Sequence, residues 1–237
     1  MIIRDTNYYN SVSGNYSNDR YPLKNKGVMH YLFNTRRKFL YEIIGKIKQS
    51  KYGNSKVSDI LEVACGDGVL SRVLSKEFSD AKIISNDISP GMVEAAKKTN
   101  LPNVNFFVRG QEPENKYDLI VYLGVFNSMD MDFELEYVSK HLKENGVFIL
   151  GFTHKHSSIF FYRPNQNPDM HVHSLKKYNE KFAEKYDLQD TYAHTFFVPH
   201  LWKLPFADFL QNLIESLILK FTYRPFHEQI YVLKLKK

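Results

Sequence analysis

Two carboxylates and a glycine turn carry the strongest chemical signal in the chain. Glu62-Val63-Ala64-Cys65-Gly66-Asp67-Gly68 closes the apolar run Val57–Val63. Glycines at such a point let the backbone turn sharply and approach a ligand closely. A dinucleotide fingerprint would place glycine at a G-x-G-x-x-G spacing. Here Ala64 stands at the first of those positions, and neither Val69 nor Ser71 is glycine. An acid, Glu62, precedes Ala64 by two residues. A carboxylate there can hold an ammonium group, which suits an amino-acid-like ligand better than a pyrophosphate. The second acid, Asp87, ends the run Lys82–Asp87, 25 residues after Glu62. Burying two unpaired acids at the ends of neighbouring strands is costly, so both are expected to meet a ligand. Helix–strand packing alone would account for Gly66 and Gly68 but not for the acids.

A second group of residues could handle protons. His154 and His156 follow the fifth apolar run, Val147–Phe152. Histidine is the usual general base for a hydroxyl nucleophile, so both are candidate catalytic residues, with solvated loop histidines as the plain alternative. His171 and His173 complete two His-x-His pairs. Cysteine or carboxylate partners at fixed spacing are lacking, and no metal site is expected. Near the start, Tyr8-Tyr9-Asn10-Ser11, Tyr16 and Tyr21-Pro22 form a polar, tyrosine-rich stretch. Its rings could cover a cation; otherwise the stretch is a tail.

These residues need a scaffold that brings strand ends together. Strands are read at 57–63, 82–87, 104–108, 117–123 and 147–152. Helices are read between them, at 69–78, from Ser89-Pro90 to about 100, and at 133–142. Strand and helix alternating in this way imply a parallel sheet covered on both faces. In such a sheet ligands bind beyond the carboxyl ends of the strands, at the switch point. Ahead of this unit, Leu32, Phe39, Leu40, Ile43, Ile44 and Ile47 mark a helix over 29–49, and Tyr52-Gly53-Asn54-Ser55 reads as a turn. After it, Pro164, Pro168 and the four histidines indicate an inserted loop or lid near 154–190. A strand at 192–198, a helix at 204–221 and a strand at 230–235 close the chain. The apolar face of the 204–221 helix is expected to pack in the core, with a greasy pocket or a membrane surface as the alternatives.

On the motif Glu62-x-Ala64-x-Gly66-x-Gly68, the chain resembles the class I S-adenosylmethionine-dependent methyltransferases, over about residues 57–153. Ala64 replaces the first glycine of their motif. The resemblance implies an α/β, doubly wound, seven-stranded, mostly parallel sheet of Rossmann-like type, with the last strand antiparallel. It implies S-adenosylmethionine as cofactor, held by Glu62, Ala64, Gly66 and Gly68. Asp87 would accept from the ribose hydroxyls, and Ile88 and Met92 from Asp87-Ile88-Ser89-Pro90-Gly91-Met92 would lie by the adenine. Gly110 and Gln111 follow the third strand, Gln111 standing where the family often has an adenine-binding Asp. Leu123 opens the loop Leu123–Asn127, expected under the methionine portion. Tyr9 and Tyr21 belong to a segment that resembles the cofactor lid of small-molecule methyltransferases. The domain reading is therefore a lid and helix over 1–50 and a methyltransferase domain over 51–237.

Composition sets the partners. The 237 residues carry a net charge of +6 with the basic residues spread out, Arg36-Arg37-Lys38 being the densest cluster. A weakly basic balance does not call for a nucleic acid. With a single cysteine, Cys65, and no apolar leader or spanning run in the sequence, the cytoplasm is the default expectation. The expected reaction is methyl transfer to oxygen or nitrogen of a small-molecule acceptor such as a sugar nucleotide, a glycan precursor or a lipid-like metabolite. An RNA methyltransferase and a non-catalytic S-adenosylmethionine-binding protein are the rival readings. Membrane-surface contact and oligomeric state stay open at this point.

Overall fold

The computed structural model describes residues 6–53, 56–162 and 171–237. Asn54 and Ser55 of the expected turn, and Pro164 and Pro168 of the expected inserted loop, lie outside them, as do residues 1–5 of the expected lid. Two short helices, α1 (Thr6–Val12) and α2 (Tyr16–Arg20), precede the long α3 (Val28–Lys48). The alternating unit follows as β1 (Asp59–Val63), α4 (Val69–Glu77), β2 (Lys82–Asp87), α5 (Pro90–Lys97), β3 (Val104–Val108), β4 (Tyr117–Tyr122), α6 (Met131–His141) and β5 (Leu142–Thr153). The chain then runs through α7 (Ser158–Tyr162), α8 (Leu175–Phe182), β6 (Tyr186–His194), α9 (Ala207–Leu219) and β7 (Glu228–Leu235).

The seven strands form one sheet in the order β3-β2-β1-β4-β5-β7-β6. Strands β3 to β5 are parallel, and β7 runs antiparallel to both β5 and β6. The order reverses between β1 and β4, so the crevice of a doubly wound sheet opens beyond Val63 and Tyr122. The central strands are apolar on both faces because both faces are covered. Ile60 and Ile83 meet Leu40, Ile44, Leu74 and Val93 from α3, α4 and α5 on one side. Leu61 and Ile84 share the other core with Leu135 of α6 and with Tyr178 and Phe182 of α8. Local chemistry starts the helices that point at the crevice. Ser89 caps α5 by accepting the Met92 N–H, with Pro90 in the first turn. Asp130 caps α6 by accepting the Phe133 N–H.

Three expectations are corrected beyond β5. The region expected as an inserted loop to about 190 contains α8 and most of β6. Helix α8 buries only Tyr178 and Phe182, an i, i+4 pair too sparse to read as a stripe. Strand β6 lies at 186–194, not 192–198. It is an edge strand with polar outward residues and a register shift between Leu188 and Asp190, which breaks the period-two pattern. Helix α9 does not put its apolar face in the core: its buried residues are Gln211 and Glu215.

Candidate cofactor and acceptor site

The turn after β1 is built from left-handed residues. Gly66 and Gly68 have φ of +57° and +85°, and Ala64 takes φ +59° between them and the strand. Asp87, at the end of β2, closes the turn from the neighbouring strand. Its Oδ2 accepts the Gly66 N–H at 2.9 Å, and its Oδ1 accepts the Ser89 N–H at 2.9 Å. Burial raises the Asp87 pKa against the pull of those bonds. The acid is thus tied by backbone donors and stands at the switch point.

Glu62 has a different setting from the one expected. It is buried, and its Oε2 accepts from Ser71 Oγ at 2.5 Å and Ser85 Oγ at 2.7 Å. Parallel register sets Glu62 beside Ser85, and one helical turn of α4 brings Ser71 over both. Burial pushes the Glu62 pKa up to about 7, partly offset by the two hydroxyls. Glu62 therefore ties β1, β2 and α4 together beneath the turn.

The remaining expected cofactor residues divide. Ile88 stands beyond Asp87 with 48% of its surface exposed, a bare apolar face beside an acid. Gly110, at φ +90°, and Gln111 are exposed just after β3. The adjacent Glu112 is the engaged side chain, accepting from Asn86 Nδ2 and the Gly110 N–H. Met92, 1% exposed, and Leu123, buried against Gly151, are core residues in this structure, so neither presents its side chain at the edge. Gly124 reaches the edge instead.

The N-terminal segment lies across these elements. Ser17 donates from both N–H and Oγ to Asp67 Oδ2, and the N–H bond is 2.8 Å. Asn10 Oδ1 accepts from Ser89 Oγ at 2.7 Å and from the Gly91 N–H at 2.9 Å. The Tyr16 ring covers Gly66, where a Cβ would stand 3.3 Å from it. Tyr9 packs edge-on to Tyr8, and Tyr21 sits on Phe33. The ring faces already host cations, Arg20 lying 4.0 Å from the Tyr16 centroid and Arg37 5.7 Å from that of Tyr21.

Sequence reading missed a buried ionic group at the edge beside Gly124. Arg36 of α3 donates from Nε to both oxygens of Glu228 at 3.0 Å and lies on Gly124, leaving no room for a side chain there. His194 Nε2 is 3.0 Å from Glu228 Oε2, without a well-aligned bond. Burial alone would raise the Glu228 pKa, but Arg36 and then His194 outweigh it and bring it to about 2. The signal was present: Arg36 lies four residues from both Leu32 and Leu40, on the apolar stripe of α3, where a charge demands a partner.

The two candidate bases differ in setting, His154 being buried and His156 exposed. His154 is 0% exposed. Its Nδ1 accepts the His156 N–H at 3.3 Å, which leaves the proton on Nε2. Burial, and then His156, lower its pKa to about 4. It is neutral, and its Nε2 is buried without a hydrogen-bond partner. His156 is exposed, and its pKa is also lowered. Nearby, Asn127 fixes the loop after β4 to the end of β5, accepting the Thr153 N–H at 2.6 Å and donating to the Thr153 carbonyl at 2.8 Å.

S-adenosylmethionine fits this donor set. A left-handed glycine turn, a carboxylate at the adjoining strand end and the exposed face of Ile88 lie together, and the Oδ1 of Asn86, next to Asp87 on β2, is buried without a partner. Comparisons with known proteins agree. Residues 61–148 match the family model of a methyltransferase domain. Over those residues the chain is similar to methyltransferase domains. The chain is 35% identical over 147 residues to malonyl-[acyl-carrier protein] O-methyltransferase 1 of Ilyobacter polytropus, covering 59% of this chain and 53% of that protein. It is 31% identical over 134 residues to the malonyl-[acyl-carrier protein] O-methyltransferase of Acetivibrio thermocellus, covering 50% and 46%. The chain thus spans about half the length of the curated relatives it matches. Among solved structures, magnesium protoporphyrin IX methyltransferase of Synechocystis with bound S-adenosylhomocysteine superposes with a TM-score of 0.68 at 14% identity, covering 98% of each chain. The plantazolicin methyltransferase BpumL superposes with a TM-score of 0.60 at 17% identity, covering 95% of this chain and 90% of that one. At those identities the likeness shows the fold of the methyltransferase domain.

Proposed function

We propose that the chain transfers a methyl group from S-adenosylmethionine to a carboxylate oxygen of a small acyl acceptor. The observation that carries cofactor use is Asp87 bound to the Gly66 N–H at the switch point, beside the exposed Ile88. Asp87 would take the ribose hydroxyls, Ile88 and Gln111 the adenine, and the turn at Ala64–Gly68 the methionine end. When bound, the cofactor supplies an electrophilic methyl on a sulfonium: the S–C bond breaks as the new O–C bond forms, and the sulfur keeps the electron pair. The protein's task is to align the two partners and exclude water. The N-terminal helices and the Tyr16 ring over Gly66 suit that task.

The acceptor class rests on His154. A hydroxyl acceptor must lose a proton, and a buried histidine with a pKa of about 4 and its Nδ1 engaged is a weak base. A carboxylate is ionised at neutral pH and needs no base. The relatives named as malonyl-[acyl-carrier protein] O-methyltransferases support the same choice, since a malonyl group offers a free carboxylate.

Calorimetry and an ester assay test both halves. S-adenosylmethionine is expected to bind and NAD is not. Asp87→Ala is expected to weaken S-adenosylmethionine binding by about 1–3 kcal/mol through loss of a charged acceptor, with circular dichroism unchanged. A malonyl thioester should yield its methyl ester by mass spectrometry. NAD binding tighter than S-adenosylmethionine would overturn the cofactor reading. Methylation of alcohols in preference to carboxylates would overturn the acceptor.

A further inference from the structure

We infer that helix α9 and the turns flanking it dock on an anionic lipid surface, lying in the headgroup plane with their apolar side in the membrane. The helix is inside out for a chain surrounded by water. Its polar side is turned to the protein: Gln211 Nε2 donates to the Phe196 carbonyl at 2.7 Å, Glu215 Oε1 accepts the Phe196 N–H at 2.8 Å, and Glu215 Oε2 accepts from Tyr31 at 3.0 Å. Asp208 is held by Asn25 Nδ2 at 2.7 Å. These residues recur on one side at helical spacing. Phe206, Phe209, Leu213 and Leu217 recur on the opposite side and are exposed, with Phe221 continuing the stripe. Phe206 is 81% exposed and Phe221 88%. A helix of this length presents an apolar strip about 20 Å long, far more than the scattered apolar residues normal on a surface.

Charge selects the occupant. From Leu201 to Phe226 the only acids are Asp208 and Glu215, and both are spent on the inward bonds just described. Lys203, Lys220 and Arg224 are exposed and bracket the strip at its two ends. Leu23, wholly exposed, lies near the start of α9 with Lys24 and Lys26, because Asn25 between them holds Asp208. An apolar strip with aromatic residues at its ends and cations at its rim is the pattern of an interfacial helix on anionic lipid. A second copy of the chain would bring the same cations face to face. No helix among the described residues is long and apolar enough to cross a membrane, so contact is with one leaflet. Leu23 to Lys26 join α2 to α3, so this end of α9 lies next to the N-terminal helices. This inference does not rest on the proposed methyl transfer.

Vesicle flotation of the full chain tests it, with phosphatidylcholine alone and with added phosphatidylglycerol. The chain is expected to float with phosphatidylglycerol vesicles at low salt, less well at high salt, and least with phosphatidylcholine alone. Leu213→Asp with Leu217→Asp should weaken partitioning about tenfold or more, since each residue buries apolar surface in the bilayer. Lys203→Glu with Lys220→Glu should abolish the lipid preference. Phe209→Ser serves as a milder third variant should the aspartates disturb folding; circular dichroism checks each. Failure of the native chain to float at low salt overturns the inference. So does a Leu213/Leu217 variant that stays folded and floats like the native chain. Concentration-dependent dimerisation lost in that variant, with no flotation of the native chain, would assign the face to a second copy instead.

Discussion

Ala64 shows what one residue can reveal. The family motif has glycine at this place, and alanine replaces it here. The backbone nevertheless keeps the left-handed conformation, φ +59°, which burdens an L-residue by about 1–2 kcal/mol relative to the right-handed region. Ala64→Gly is therefore expected to raise the unfolding free energy by about 0.5–1 kcal/mol, the relief exceeding the added freedom of the unfolded chain. Chemical denaturation measures it, and a less stable glycine variant would mean that the turn relaxes away from φ > 0. Glu62 gives the opposite lesson. Its position at the strand end was legible, but its partners Ser71 and Ser85 come from α4 and β2. Only the register of two strands and a helix gives it these two hydroxyl partners.

At the scale of elements, the N-terminal helices combine order with weak attachment. Neither α1 nor α2 has a buried residue. They are held by polar anchors, Ser17 on Asp67 and Asn10 on Ser89 and Gly91. Hydrogen bonds to a charged acceptor contribute about 1.5–3 kcal/mol, so removing one anchor should open the segment without disturbing the sheet. In Asp67→Ala, hydrogen exchange over residues 16–20 is expected to rise to that of an open chain, while β1 and β4 stay protected. Protection unchanged in the variant would show that ring packing on Gly66 holds the segment by itself. The same scale explains why the end of the chain was harder to read. The strands β1 to β5 sit in two apolar cores, and their residues announce it. Edge strand β6 and the thinly buried α8 draw their stability from neighbours far away in sequence, and their own pattern is faint.

For the whole molecule, buried ionisable groups make stability depend on pH in opposing ways. The pKa of His154 is lowered from 6.5 to about 4. Its contribution is complete above pH 6.5 and is lost as pH falls towards 4, by up to about 3 kcal/mol. The pKa of Glu62 is raised from 4.5 to about 7, so it favours the fold below pH 4.5 and that gain is lost as pH rises to 7. The pKa of Glu228 is lowered from 4.5 to about 2, and its contribution fades only in that acidic window. Burial lowers the His227 pKa to about 4 in the same way, so the two histidines outweigh Glu62, and the native chain should lose stability progressively as pH falls below 6.5 and more steeply below 4.5. Glu62→Gln keeps an acceptor for Ser71 and Ser85 but removes the charge. It should be more stable than the native chain at pH 8, by about 1–3 kcal/mol, and should match it near pH 4.5. Urea denaturation at both values is the measurement, and a destabilised variant at pH 8 would show that the Glu62 charge has a partner beyond the two hydroxyls.

The sequence by itself determined the parallel sheet, the glycine turn and the placing of Asp87 beside it, because these depend on short-range patterns: apolar runs, left-handed positions and acids at strand ends. It also carried the marks of the covering segment at Tyr9, Tyr16 and Tyr21. Tertiary structure alone decided which polar groups face one another. It joined Arg36 to Glu228 across 192 residues, buried His154 completely and turned the polar side of α9 inward. Those outcomes depend on distance through space, and a periodic pattern along one element says only that it has two faces. Helix α9 marks that boundary: its amphipathic period was plain in the sequence, but which face met the protein was set by Tyr31 and Phe196, residues from elsewhere that offered polar groups to Gln211 and Glu215.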